Sequence, residues 1–192
     1  MKLATRQQES ADLATFDRSV PPGLLCMPGK HVILRFRGTR IQVIASDNQE
    51  GQLGRSAAGP VTDPLHLELV SGSGEAAHWH RPVLLQAVIE SRSDPVLAVQ
   101  RASRWASYSA RVAVVPKPRL NDRALLEARL RGVWVVVSDE LGQFQIAMVG
   151  ERTATVGSVR GLSHRLLDEL IWEALRKQKS ASTVAVRSAA TT

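Results

Sequence analysis

The chain of 192 residues contains one cysteine, Cys26. No disulfide can close within it, so the stapled scaffolds of small secreted domains are excluded. Aromatic residues make up only 4% of the chain, with four tryptophans, three phenylalanines and one tyrosine. A core must therefore be built mainly from aliphatic side chains. No run approaches the roughly 18 apolar residues needed to span a bilayer. The opening stretch, MKLATRQQESADLATFD, has no apolar centre of signal-peptide length. Lys2 stands where myristoylation requires glycine, and no C-terminal cysteine box is present. These absences lead us to expect a cytoplasmic protein with no membrane partner. Two kinds of chemistry also lack their motifs. GQLGRSAAG has no Lys-Ser/Thr pair to make a phosphate loop, and no nucleophile elbow occurs.

Hydrophobic residues amount to 44% and charged residues to 22%, a composition that supports one sizeable core. We expect an N-terminal segment over 1–24, a single domain over 25–178, and a disordered tail over 179–192, where SASTVAVRSAATT lacks core-forming density. Lysine and arginine number 25 against 18 acids, a net charge of +7. The resulting pI of about 10.5 favours a polyanionic partner, either nucleic acid or an anionic surface.

Hydropathy patterning gives an order of elements. Residues 1–20 suggest a short helix ended by VPPG. KHVILRFRG and RIQVIAS alternate as a hairpin turning around Gly38-Thr39. LHLELV at 65–70 has the period of a half-buried strand, and PVLLQAVIE at 82–90 is a continuously apolar, central one. Asp94-Pro95 opens a helix running to about Ser107, with Asp as cap and Pro in the first turn. RVAVVP at 111–116 is a buried strand, and residues 121–132 form a helix capped by Asn121 or Asp122 and stopped by Gly132. Strands at 133–139 and 143–149 follow, the second antiparallel to the first. An amphipathic helix over 161–178 carries Leu162, Leu166, Leu170 and Ala174 in one row. Strands alternating with helices predict an α/β protein: a mixed sheet with flanking helices, an N-terminal β-hairpin and a C-terminal amphipathic helix.

The middle of the chain, about 61–149, resembles the PD-(D/E)XK, or restriction-endonuclease-like, superfamily. Two strands, the second ending in the acidic-x-basic triplet Glu90-Ser91-Arg92, lead into a helix containing LAVQRASRW and then the strand ARVAVVP. RLRGVWVVVSDELGQFQI is similar to the closing strand and hairpin of that family. The resemblance implies a restriction-endonuclease-like core. It also implies Mg²⁺ held by carboxylates from two adjacent strands, where the ion polarises a phosphodiester. Glu90 takes the place of the second acid and metal ligand. Arg92 stands where the family has lysine, keeping the charge but as a planar, permanently protonated group. The first acid has three candidates: Asp63 before the first strand, Glu68 within it and Glu75 in the turn after it. On the same footing, Gln100 would contact nucleic acid from the helix.

Eight basic residues lie between Arg101 and Arg131, opposed only by Asp122 and Glu127. Of these, Arg101, Arg104, Lys117 and Arg119 are the candidate phosphate contacts, alongside Gln100. A plainer account is also open: Glu90 and Arg92 as a solvated strand end, the basic residues as a solvated face, and Trp105 and Trp134 as core side chains. HWH at 78–80 places His78 and His80 on one face if extended. With His66 and distant Cys26 it falls short of a zinc-ligand spacing. The leading expectation is a DNA-binding protein with a degenerate nuclease centre. The alternatives are an active Mg²⁺-dependent endonuclease using Glu90 with Asp63 or Glu68, and an assembly protein. The last would form a homodimer by burying Leu166, Leu170 and Trp172 against a second subunit.

Overall fold

The structure, a computed structural model, describes residues 20–53, 59–72, 80–152 and 161–189. The expected helix within 1–19 lies outside the described residues, as do Glu75 and His78. A 3-10 turn (Pro22–Leu25) precedes β1 (Lys30–Phe36) and β2 (Thr39–Asp47). Two short helices follow, α1 (Gln49–Leu53) and α2 (Pro64–Gly72), and then β3 (Val83–Ser91). The chain continues through α3 (Pro95–Ser103), β4 (Ala110–Pro116), a second 3-10 turn (Lys117–Arg119) and α4 (Asp122–Leu130). It ends in β5 (Trp134–Ser138), β6 (Phe144–Met148) and the long α5 (Leu162–Ala189).

The six strands form one mixed sheet in the order β1-β2-β3-β4-β5-β6. Neighbours β1, β2 and β3 are antiparallel. Strands β3, β4 and β5 are parallel, and β6 returns antiparallel to β5. The protein is therefore α/β, with an N-terminal hairpin and a C-terminal helix.

Local chemistry accounts for the elements. Val32, Leu34 and Phe36 alternate on β1 opposite Ile41 and Val43 of β2, and Phe36 pairs with Thr39. The two-residue turn between them is Arg37-Gly38, one place earlier than the sequence suggests. Both residues have positive φ, 49° and 77°, as a type I′ hairpin turn demands. Helix α3 begins where expected: the Asp94 carboxylate accepts the Leu97 N–H at 3.0 Å, with Pro95 in the first turn. In α4, Asn121 rather than Asp122 is the cap, accepting the Ala124 N–H at 2.9 Å.

Residues 65–70 are not a strand. They lie in α2, opened by Asp63-Pro64 just as Asp94-Pro95 opens α3. The Asp63 carboxylate accepts the Leu65 N–H, and its carbonyl accepts the Leu67 N–H. Alternation had placed Leu65, Leu67 and Leu69 on one buried face. Only Leu67 is buried, while Leu65 and Leu69 are 71% and 75% exposed. The strand beside β3 is β2 instead.

The two faces of the sheet have different covers. On one face, Val32, Phe36, Val43 and Val88 pack against Leu167, Ile171, Trp172 and Leu175 of α5. Continuing on that face, Ala113, Val115, Val135 and Val137 pack against Ala98, Val99 and Ala102 of α3 and Ala128 of α4. Small alanines on the helices let their axes lie close to a valine-rich sheet. On the opposite face, Ile44, Ile89, Val112, Val114 and Val136 pack with Val20, Leu25 and Met27. Val20 is fully buried there, so the chain joins the core ahead of the expected boundary at 24/25. Helix α5 continues to Ala189, through most of the 179–192 stretch expected to be disordered. Gln178 donates to the His31 carbonyl and Lys179 pairs with Asp47, so the helix is tied to the hairpin beyond its expected end.

Candidate nucleic-acid interface at the carboxyl edge of the sheet

Parallel pairing brings the carboxyl ends of β3, β4 and β5 to one edge of the sheet. The β1–β2 turn reaches the same edge, because β1 runs in the same direction as β3. Four features meet there: Arg37 and Arg40 at the hairpin turn, Glu90-Ser91-Arg92 at the end of β3, and Lys117 and Arg119 in the turn after β4. Adjacent strands are about 4.8 Å apart, so the edge from β1 to β4 spans roughly 14 Å. That is comparable with the ~12 Å width of a DNA major groove.

Glu90 does not end on a solvated strand tip. It is 5% exposed, on the helix-covered face, and its Oε1 accepts the indole N–H of Trp105 at 3.1 Å. Trp105 belongs to an aromatic cluster. Its ring lies 5.9 Å from Phe36 and 5.3 Å from Tyr108, and Tyr108 stacks on His164 at 4.0 Å. The His164 ring nitrogen meets the Ser107 carbonyl at 3.0 Å, fixing the 104–109 turn against α5. Arg92 extends the β3–β4 ladder by one bond, from its N–H to the Val114 carbonyl. Its side chain makes no ion pair with Glu90, and its Nε is buried without a partner.

Among the described residues, none supplies a second carboxylate on the strand beside Glu90, and the candidate Glu75 lies outside them. The β2–β3 register pairs Gln42 with Ile89, which sets Ile41, an apolar residue, opposite Glu90. Of the candidates for the first acid, Asp63 stands just before α2 and Glu68 on it, and both are exposed. Among the described residues, no three His, Cys, Asp or Glu side chains gather as metal ligands. His66 is exposed on α2, and Cys26 is exposed beside the N-terminal 3-10 turn.

The five candidate nucleic-acid contacts separate into two groups. Lys117 and Arg119 are exposed at the carboxyl edge. Gln100, Arg101 and Arg104 lie on the second half of α3 and just after it, where the chain has returned to the amino end of the sheet. Arg131, at the end of α4, reaches Ser103 at 3.5 Å, so this end has its own arginines. Strand β4 lies between Arg104 and Lys117, and seven residues of strand span about 23 Å. The first group follows the carboxyl end of β4 and the second precedes its amino end.

Three buried charged groups had no readable signal. Glu169 is fully buried in α5 and accepts the Val61 N–H at 2.8 Å. Its neighbour Asp168 pairs with Arg81 at 3.1 Å, so the two acids fasten the segments before α2 and before β3. Arg111 is buried in β4, donating to the Gly132 carbonyl at 3.1 Å and facing Glu151 at 3.4 Å. In the sequence, Asp168 and Glu169 look like ordinary polar-face residues of an amphipathic helix. The α5 apolar face is spent within the chain: Trp172 is buried, and Leu166 and Leu170 pack against the same core.

No described helix is long and apolar enough to cross a membrane. No protein-family model, characterised protein or solved structure matches this chain.

Proposed function

We propose that the protein binds DNA through the carboxyl edge of its sheet and does not cleave it efficiently, on a fold resembling a restriction-endonuclease-like core. The observation that carries this reading is the placement of Arg37, Arg40, Arg92, Lys117 and Arg119 along one edge, around an acid with an apolar residue opposite it. Guanidinium groups and a lysine at the ends of neighbouring strands can each meet a phosphate, and such contacts position a duplex without reading its sequence. The net charge of +7 adds attraction at longer range. Glu90 has spent one oxygen on Trp105, and among the described residues no carboxylate stands across the strand pair to share a Mg²⁺ ion with it.

The test has two arms. Binding of duplex DNA is measured as a function of salt for wild type, for an edge variant (Arg92→Ala, Lys117→Ala, Arg119→Ala) and for an amino-end variant (Arg101→Ala, Arg104→Ala). The edge variant is expected to bind at least ten-fold more weakly with a shallower salt slope, and the amino-end variant to stay within about two-fold. Equal losses in both variants, or none in the edge variant, would sink the assignment to this edge. The second arm measures Mg²⁺- and Mn²⁺-dependent cleavage by wild type and Glu90→Ala. No metal-dependent cutting is expected from either. Robust cutting that disappears in Glu90→Ala would replace the binding reading with an active nuclease.

A further inference from the structure

We propose that the β1–β2 turn is the phosphate-gripping tip of this interface, with the Arg37 guanidinium as its principal contact; this rests on the DNA-binding reading above. The first position of a two-residue type I′ turn favours asparagine, aspartate or glycine, which tolerate positive φ. Arginine occupies it here at φ 49°, a conformation in which a long L side chain is strained. Glycine at this position would relieve the strain and cost the fold little. The arginine side chain is nevertheless held in place. Its guanidinium donates to the Ser163 hydroxyl and lies 5.7 Å from the centre of the Phe36 ring. A strained backbone carrying an oriented, exposed cation is the pattern expected where a ligand supplies the compensation.

The surroundings are of one sign. Arg35 and Arg40 stand directly opposite each other across the same hairpin, so two arginines share one register pair beside the turn. From Lys30 to Asp47 the hairpin has one lysine and three arginines, and its one acid, Asp47, stands at the end away from the turn. Among the described residues, neither Arg35 nor Arg37 is held in an ion pair. A phosphodiester oxygen brought to the tip would meet an exposed planar guanidinium held by one nitrogen to Ser163, with further N–H donors that a lysine would not reproduce.

The experiment compares wild type with Arg37→Gly, Arg37→Lys and Ser163→Ala, measuring duplex DNA affinity, its salt dependence and the thermal midpoint. Arg37→Gly is expected to bind about ten-fold more weakly, to lose about one unit of salt slope, and to melt no lower than wild type. Arg37→Lys keeps the charge and should fall between the two. Ser163→Ala removes the tether but not the cation and should remain within about three-fold of wild type. Wild-type affinity in Arg37→Gly, with wild type itself binding DNA, would overturn the tip while leaving the edge reading intact. Weaker binding accompanied by a clear drop in the thermal midpoint would also overturn it, assigning Arg37 to the support of α5. Absence of DNA binding by wild type would overturn both readings together.

Discussion

Glu90 gives up its hydration on folding and receives the indole N–H of Trp105 in return. Burial of a carboxylate is costly unless its oxygens are hydrogen-bonded, so the indole is a requirement of the site as much as a packing group. Replacing Trp105 by phenylalanine keeps most of the ring volume but removes the donor. Trp105→Phe should destabilise the protein by about 1–3 kcal/mol in urea unfolding, and the loss should shrink in Trp105→Phe/Glu90→Leu, where the acid is also gone. An equal loss with and without Glu90 would assign the effect to ring packing alone. This arrangement was half legible. The apolar run of 82–90 located Glu90 at a strand end, but nothing in the spacing of Glu90 and Trp105 announces a hydrogen bond across a helix. Arg37 was readable in principle, since Arg-Gly sits between two alternating runs. Its backbone angle was not, because positive φ is rare for arginine and the glycine beside it suffices as a turn signal.

At the level of elements, α2 and α5 depart most from what patterning suggests. LHLELV satisfies the period of a strand over six residues, yet Asp63-Pro64 supplies the N-terminal chemistry of a helix. Over so short a window, capping outweighed alternation. The consequence reached the site: with 65–70 helical, Glu68 could not stand on the strand beside Glu90. The strands over 83–91, 110–116 and 134–138 were legible because they are covered on both faces and read as near-continuous apolar runs. Helix α5 outlasts its apolar stripe because its later contacts are polar. Lys179 meets Asp47 at 2.9 Å, and Gln52 donates to the same carboxylate at 3.0 Å. Burial pushes the Asp47 carboxyl upward, but the hydrogen bonds from Gln52 and Lys179 and the charges of Lys179 and Lys30 more than offset it. The net pKa lies below the ordinary aspartate value. A depressed folded-state pKa means that this group's contribution is full above the unfolded value, near pH 4, and is lost as pH falls through the folded value. Lys179→Met should therefore destabilise the protein at pH 7 and do so less at pH 3. A penalty equal at both pH values would show that the ion pair contributes nothing.

For the whole molecule, the basic residues flanking β4 fall into two sets, one after its carboxyl end and one before its amino end. The carboxyl edge offers Arg37, Arg40, Arg92, Lys117 and Arg119, while Arg101, Arg104 and Arg131 gather at the amino end. If the edge alone engages a duplex, about five phosphates are neutralised, and log affinity should fall with log salt at a slope of roughly −4 to −5. Titrations between low and moderate salt measure that slope directly. A value near −7 would mean that both sets touch DNA, through two duplexes or a bent one. Total charge and composition announced a polyanion partner but could not announce this division. It arises because a helix joining parallel strands must run back to the other end of the sheet, carrying its late arginines with it.

The strand order repeats the order of the chain without a single transposition. Each strand can dock on the one synthesised just before it, so the sheet can grow by accretion from either end without waiting for a distant partner. Such local pairing favours fast folding among mixed α/β domains. Between neighbouring strands, the longest closure is between β2 and β3, across residues 48–82, which hold α1 and α2. Because the entropy of closing a loop rises only with the logarithm of its length, doubling that excursion would cost only about 0.6 kcal/mol. Length added to that excursion is thus entropically cheap, provided that its ties to α5, at Val61 and Arg81, are kept.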